Sequence, residues 1–161
     1  MGDDVRLLAE PLSWKVELER FTAMHPPSGC IVSFLGQVRD RDGSEQVYAL
    51  DLRHYQPLTL PSMRALAVNA HARWRLDGIL MLHRHGIVTA GGAIVLVAVA
   101  ARHRREGFEA VDFCVDHLKS AAWFWKRERR SSGWNWIETR DQDAIDVDRW
   151  RPDGQPDVPF T

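Results

Sequence analysis

Residues 102–128 read RHRREGFEAVDFCVDHLKSAAWFWKRE, and this stretch decides the fold. Phe108, Val111, Val115, Leu118 and Ala122 recur at intervals of three and four, the apolar stripe of an amphipathic helix over residues 106–122. Residues 123–128 then bring three consecutive large aromatics, which suit extended chain better than a helix end. Upstream, residues 93–101 (AIVLVAVAA) form an apolar run of the right length for a central strand. A strand, a turn carrying His103 and Arg104, a helix ending near Lys119 and a strand carrying Lys126 therefore follow one another. Lys and Arg prefer water, whereas Trp and Phe prefer burial. Interleaved, they predict a pocket with apolar walls and cationic fixtures, suited to a flat anionic small molecule or a carboxylate-ended peptide.

The rest of the chain alternates helix and strand. Trp14, Leu18 and Phe21 predict a short helix over 14–24, closed by His25-Pro-Pro-Ser-Gly. Residues 30–38 (CIVSFLGQV) read as a buried strand, 39–44 as a polar loop and 47–55 (VYALDLRHY) as a half-buried strand. A helix is predicted from Pro61 or Ser62 to Trp74, because proline sits comfortably only near a helix start. Residues 79–85 (ILMLHRH) predict a strand and 86–92 a turn. Residues 134–138 (WNWIE) predict a strand that forms a hairpin with 123–128 across Ser131-Ser-Gly. The pattern is α+β.

At 161 residues with 45% hydrophobic content, the chain fits one domain over 1–150, followed by a loose Pro/Gly/Asp-rich tail over 151–161. The formal net charge of −1 argues against nucleic acid as a partner. Charge is local instead: residues 102–130 hold eight Lys/Arg against five Asp/Glu, while 141–148 hold four Asp and no Lys or Arg. A basic site on a neutral body favours a discrete anion. The longest apolar run, 93–101, is about half of a membrane span, so no membrane insertion is expected. The acidic start, MGDDVRLLAEPLSW, lacks the apolar segment of a signal peptide, which predicts a cytoplasmic protein. Cys30 and Cys114 are far apart and read as reduced packing residues.

Each candidate site residue also has a structural reading. His103 and Arg104 follow the central strand, where functional groups are often mounted, or they are a solvated turn. Lys119 is either a reactive lysine sheltered by the following aromatics, or a cation that gains from the helix dipole and pairs with Asp116. In an extended segment Phe124 and Lys126 share one face, while Trp123, Trp125 and Arg127 share the other; Lys126 then either lines a pocket or snorkels. Arg39 lies in a loop that pairs with itself through Asp40 and Asp42 if it has no ligand, and Arg140 reads as a surface residue. His83 and His85 have the spacing of paired metal ligands but no third ligand stands out, so no metal site is expected.

VSFLGQVRD (32–40), YALDLRHY (48–55), HRHGIV (83–88), AIVLVAVAARHR (93–104), FEAVDFCVDHLK (108–119) and FWKRE (124–128) resemble the large catalytic subunit of molybdopterin synthase. The resemblance spans residues 29–150. It implies an α/β hammerhead-type fold with an added antiparallel β subdomain. It also implies a homodimer, each protomer of which binds a small ubiquitin-like sulfur-carrier subunit. The carrier's C-terminal Gly-Gly thiocarboxylate would enter the active site and pass sulfur to cyclic pyranopterin monophosphate, forming the dithiolene of molybdopterin. Carried over by position, the resemblance makes Lys119 and Lys126 catalytic, puts His103, Arg104 and Arg39 in one pterin and anion pocket, and adds Arg140 from IETRD (137–141). Trp123 stands where the family usually has Pro, and Arg53 and His54 stand where an acidic residue is usual.

A cluster of Lys, Arg and His stabilises anions where they form, and a lysine can give or take the transferred proton. This chemistry requires no metal or organic cofactor. Two other functions fit the same residues: a non-catalytic module that binds an anion or nucleotide, and a degenerate family member that serves as a scaffold.

Overall fold

The computed structural model describes residues 2–120, 123–138 and 140–151. The expected loose tail falls almost wholly on residues 152–161, outside the described residues. Ten strands and four helices follow in the described chain: β1 (Asp4–Leu8), α1 (Trp14–Met24), β2 (Cys30–Gln37), β3 (Arg41–Asp42), β4 (Glu45–Gln46), β5 (Ala49–His54), α2 (Gln56–Arg73), β6 (Leu76–Arg84), β7 (Gly86–Thr89), β8 (Ala93–Ala101), α3 (Arg104–Ser120), β9 (Phe124–Arg130), β10 (Gly133–Ile137) and α4 (Asp141–Asp148).

One sheet has the order β1-β6-β8-β2, the other β10-β9-β5-β7, and β3 with β4 forms a separate ribbon. The first sheet is buried on both faces, which is why 93–101 reads as an unbroken apolar run. Along β6 and β8, Ile79, Met81, Val97 and Val99 pack against Met63, Leu66 and Ala70 of α2 and Ala110, Phe113 and Cys114 of α3. The alternate residues Leu80, Leu82, Leu96, Ala98 and Ala100 face Phe21 of α1. A third cluster, Val38, Val47, Leu50, Leu52 and Val88 with Ile94 packed on it, underlies the second sheet. Full burial of each Val, Leu, Ile, Phe or Met among these stabilises by about 1.5–3 kcal/mol. The architecture is α+β, as the sequence pattern predicts, with the added antiparallel sheet that the resemblance implies.

Several elements differ from expectation. α2 begins at Gln56, not at Pro61: Pro57 occupies the first turn, and Pro61 lies inside the helix. There Pro61 has no N–H to donate to the Pro57 carbonyl. The expected turn over 86–92 holds strand β7, paired antiparallel with β5. The polar loop after β2 carries the β3–β4 ribbon. β1, paired parallel with β6, and α4 had no counterpart in the sequence reading. The expected helical residues 121–122 lie outside the described residues.

One irregularity matters for the site. The β2–β8 register shifts between Gly36 and Gln37. A Cβ on Gly36 would lie 2.6 Å from Val95 Cγ1, so glycine lets the strands meet closely where β2 turns out toward Arg39.

Candidate active site

A cleft opens between the two sheets at the C-terminal end of α3. Its outer part, about 310 Å³, is lined by Arg39 after β2, Leu118 and Lys119 of α3, Phe124, Lys126 and Glu128 of β9, and Arg140 and Asp143 at the start of α4. Its inner part, about 330 Å³, is more apolar and runs inward to Phe34, Leu52, Val95, Val115 and His83. Gln37, Arg39, Leu50, Ile94, Leu118, Lys119 and Lys126 line both parts, which makes them one cleft.

Strand alternation explains the aromatic-cation pattern. In the β5–β9 pairing, His54 faces Phe124, Leu52 faces Lys126 and Leu50 faces Glu128. Of these, Leu50, Leu52, Phe124, Lys126 and Glu128 line the cleft. Trp125, Arg127, Arg53, Trp134 and Trp136 point away. There the Arg127 guanidinium sits 4.7 Å from the Trp134 ring centre and bonds Asp51 at 2.8 Å.

The two lysines have different surroundings. Lys119 is exposed at the helix end, with its Nζ 5.7 Å above the Phe34 ring. Its shelter comes from β2 and Phe124, since Trp123 is buried in the main core and Trp125 is on the far face. Lys126 is half-buried, and its pKa is held below that of a free lysine. Burial is the largest cause; Asp143 opposes it, and the positive Lys119 and Arg140 reinforce it. Lys126 therefore loses its proton more readily than an exposed lysine.

Asp116 does not pair with Lys119. Its carboxylate accepts from Arg149 at 2.6 Å and from Trp150 Nε1 at 2.7 Å, which fastens the far end of α4 to α3. The near end of α4 then delivers Arg140 and Asp143 to the cleft, and the acidic first turn of Asp141 and Asp143 suits the helix dipole. The ribbon after β2 is tied outward as well: Asp42 and Glu128 both bond Arg130, which joins it to β9.

The structure brings together Arg39, Lys119, Lys126 and Arg140. It does not bring His103 and Arg104 to them. These two line a separate basic hollow with Gly29, Arg102 and Arg105. Arg104 and Lys119 mark opposite ends of the same helix, about 22 Å apart at about 1.5 Å per residue. The expectation of one shared pocket therefore fails within a single chain. The sequence reading missed His83, Glu128 and Asp143. Glu128 was legible from the alternation with Phe124 and Lys126; His83 and Asp143 reach the cleft only through tertiary packing.

Among the described residues, no helix is long and apolar enough to cross a membrane. Cys30 and Cys114 are free, and burial pushes the Cys114 thiol up to about 12.

The family profile described as MoaE protein matches residues 7–121. The molybdopterin synthase catalytic subunit of Cereibacter sphaeroides is 38% identical over 146 residues, covering 91% of this chain and 99% of that protein. Among solved structures, the molybdopterin biosynthesis MoaE protein of Burkholderia ambifaria is 31% identical, with a TM-score of 0.77, over 92% of this chain and 98% of that one. A protein–protein complex of subunits 1 and 2 of molybdopterin-converting factor from Helicobacter pylori contains a chain with the same fold. Its TM-score is 0.70 at 18% identity, over 84% of this chain and 91% of that one. The extent of the profile match and the identity over nearly the whole chain place this protein in the MoaE family.

Proposed function

We propose that this chain is the catalytic subunit of a molybdopterin synthase. It moves sulfur from the C-terminal thiocarboxylate of a small ubiquitin-like carrier subunit to cyclic pyranopterin monophosphate, generating the dithiolene. The observation that carries this reading is one cleft in which two lysines and two arginines meet apolar walls. The inner part, walled by Phe34, Val95 and Val115, suits a narrow glycyl tail without side chains. The outer part, with Arg39 and Arg140, suits a phosphate-bearing ring, since guanidinium groups bind phosphate bidentately.

Lys119 and Lys126 are the catalytic residues. Lys119 holds the carrier's terminal carboxyl group by charge at the junction of the two parts. Lys126, the more readily deprotonated, moves the proton to or from the oxygen that sulfur replaces. Arg39 and Arg140 bind the substrate anion.

His103 and Arg104 belong to the substrate site of a neighbouring copy. They lie too far from Lys119 to touch the same molecule within one chain, so the homodimer supplies them across the interface. The reaction is cytoplasmic, where thiols and thiocarboxylates stay reduced, and residues 1–150 act as a single domain.

The direct test is binding. By calorimetry, a ubiquitin-like carrier ending in Gly-Gly is expected to bind one per protomer. Removing its last two residues is expected to weaken binding at least about tenfold, equivalent to about 1.4 kcal/mol. Equal affinity for intact and truncated carriers contradicts the assignment of the inner cleft.

A further inference from the structure

His83 has no part in the chemistry described so far, yet it sits at the inner end of the cleft that both lysines line. It lies near the end of β6, is 5% exposed, and stacks on Phe124 with ring centres 3.9 Å apart and planes 17° from parallel. Phe124 in turn is two residues from Lys126 on the same face of β9. The imidazole Nδ1–H donates to the Arg84 carbonyl at 2.8 Å. That bond fixes the tautomer and leaves Nε2 as a lone-pair acceptor. No hydrogen bond engages Nε2 among the described residues, and His83 lines the inner cleft, so this acceptor is available to a donor there.

We infer that His83 is a positioning residue for Lys126: its Nε2 accepts a hydrogen bond from the Lys126 ammonium when the cleft is filled, and so aims the proton that Lys126 transfers. The inference rests on the proton-transfer role given above to Lys126. The neutral state of His83 is essential to this role. Burial holds its pKa down to about 3, with the positive Lys126 adding to the effect, so the ring places no third positive charge beside the two lysines and is too weak a base to take the proton itself. The groups facing Lys126 are Lys119 from α3, Arg140 and Asp143 from α4, Glu128 on its own strand, Arg39 after β2 and His83 from β6. Of these, Asp143 and Glu128 offer acceptors at the outer mouth, Glu128 being engaged by Arg130. His83 offers one at the inner end.

The test uses the full-length chain with its loaded carrier. H83F keeps a flat ring on Phe124 and removes the acceptor; H83Q supplies an amide oxygen in its place. H83F is expected to keep its melting temperature within a few degrees and its KM within about twofold, while kcat falls at least about tenfold; H83Q is expected to recover part of that loss. The pH titration of the Lys126 13Cε signal, with the carrier tail bound, is expected to move lower in H83F and part of the way back in H83Q. Wild-type kcat and an unmoved Lys126 titration in folded H83F overturn the inference. A second measurement leaves His83 intact, so it holds even if H83F does not fold: the His83 Nε2 15N shift in the tail-bound protein is expected to change in Lys126→Ala, and an unchanged shift overturns the inference. Neither NMR measurement requires turnover, so a failure of the sulfur-transfer assignment is distinguishable from a failure here.

Discussion

Asp116 and Arg149 join α3 to the far end of α4: the carboxylate accepts two guanidinium hydrogen bonds, at 3.0 and 2.6 Å, with Trp150 Nε1 as a third donor at 2.7 Å. Asp116 is buried, whereas the Arg149 side chain is 48% exposed. Behind this contact, Trp150, Trp74 and Phe113 meet edge to face. Asp116 thus holds α4 over the cleft from one turn before Lys119.

Asp116→Ala is expected to lower stability by about 1–3 kcal/mol, since it strips a partner from half-buried Trp150 Nε1 and from Arg149. Solvent around Arg149 keeps the loss toward the lower end. Amide hydrogen exchange over 141–148 is expected to accelerate, and precursor affinity to fall because Arg140 loses its anchor. Unchanged exchange in that helix contradicts the role given to the contact.

Stability is expected to fall on acidification through His83. Its folded-state pKa, about 3, lies below the ordinary value of 6.5, so between those limits the unfolded chain binds the extra proton. Stability therefore rises with pH across that window and falls as pH drops below about 6.5, by up to about 1.4 kcal/mol per pH unit from this one group. His83→Gln is expected to lose stability less steeply between pH 6 and pH 4. Denaturant melts at several pH values check this, and parallel curves for the two proteins contradict it.

These effects mark how far the sequence can be read. Strand 93–101 and helix 14–24 appear with the bounds their patterns predict, because the first is one unbroken apolar run and the second carries Trp14, Leu18 and Phe21 at helical spacing. β1 is a five-residue edge strand next to acidic residues, and what holds it is tertiary: parallel pairing with β6 and the packing of Val5 and Leu7 on the main core. β7 hides between glycines, and α4 lacks an apolar stripe because it is held by Asp116 rather than by a core face. In the site, alternation placed Phe124 and Lys126 on one face correctly. His83 was unreadable because its neighbours come from the other sheet. The separation of Arg104 from Lys119 was latent in the length of the helix between them.

That separation gives a complementation test. If His103 and Arg104 serve a neighbouring copy's cleft, a mixture of His103→Ala and Lys119→Ala chains forms some dimers with one complete site. The mixture is expected to regain up to about a quarter of wild-type activity once the dimers exchange at random. No activity above that of either variant alone, with exchange verified by mass, contradicts the shared site.

Lys126→Arg is expected to bind both the carrier tail and the precursor, yet to turn over at least about tenfold more slowly, about 1.4 kcal/mol of barrier. A guanidinium keeps the charge but does not release its proton near neutral pH. Wild-type turnover in Lys126→Arg, with Lys126→Ala inactive, means that charge alone is used.

The central claim is sulfur transfer in the Lys119–Lys126 cleft. Its most direct test is conversion of cyclic pyranopterin monophosphate by the purified chain with at least two thiocarboxylated carriers per precursor, one for each sulfur of the dithiolene, compared with Lys119→Ala. Dithiolene product is expected from the wild-type chain, and none from a folded Lys119→Ala chain that still binds the carrier. Product formed at the wild-type rate by Lys119→Ala, or no product from the wild-type chain with a fully loaded carrier bound, contradicts it.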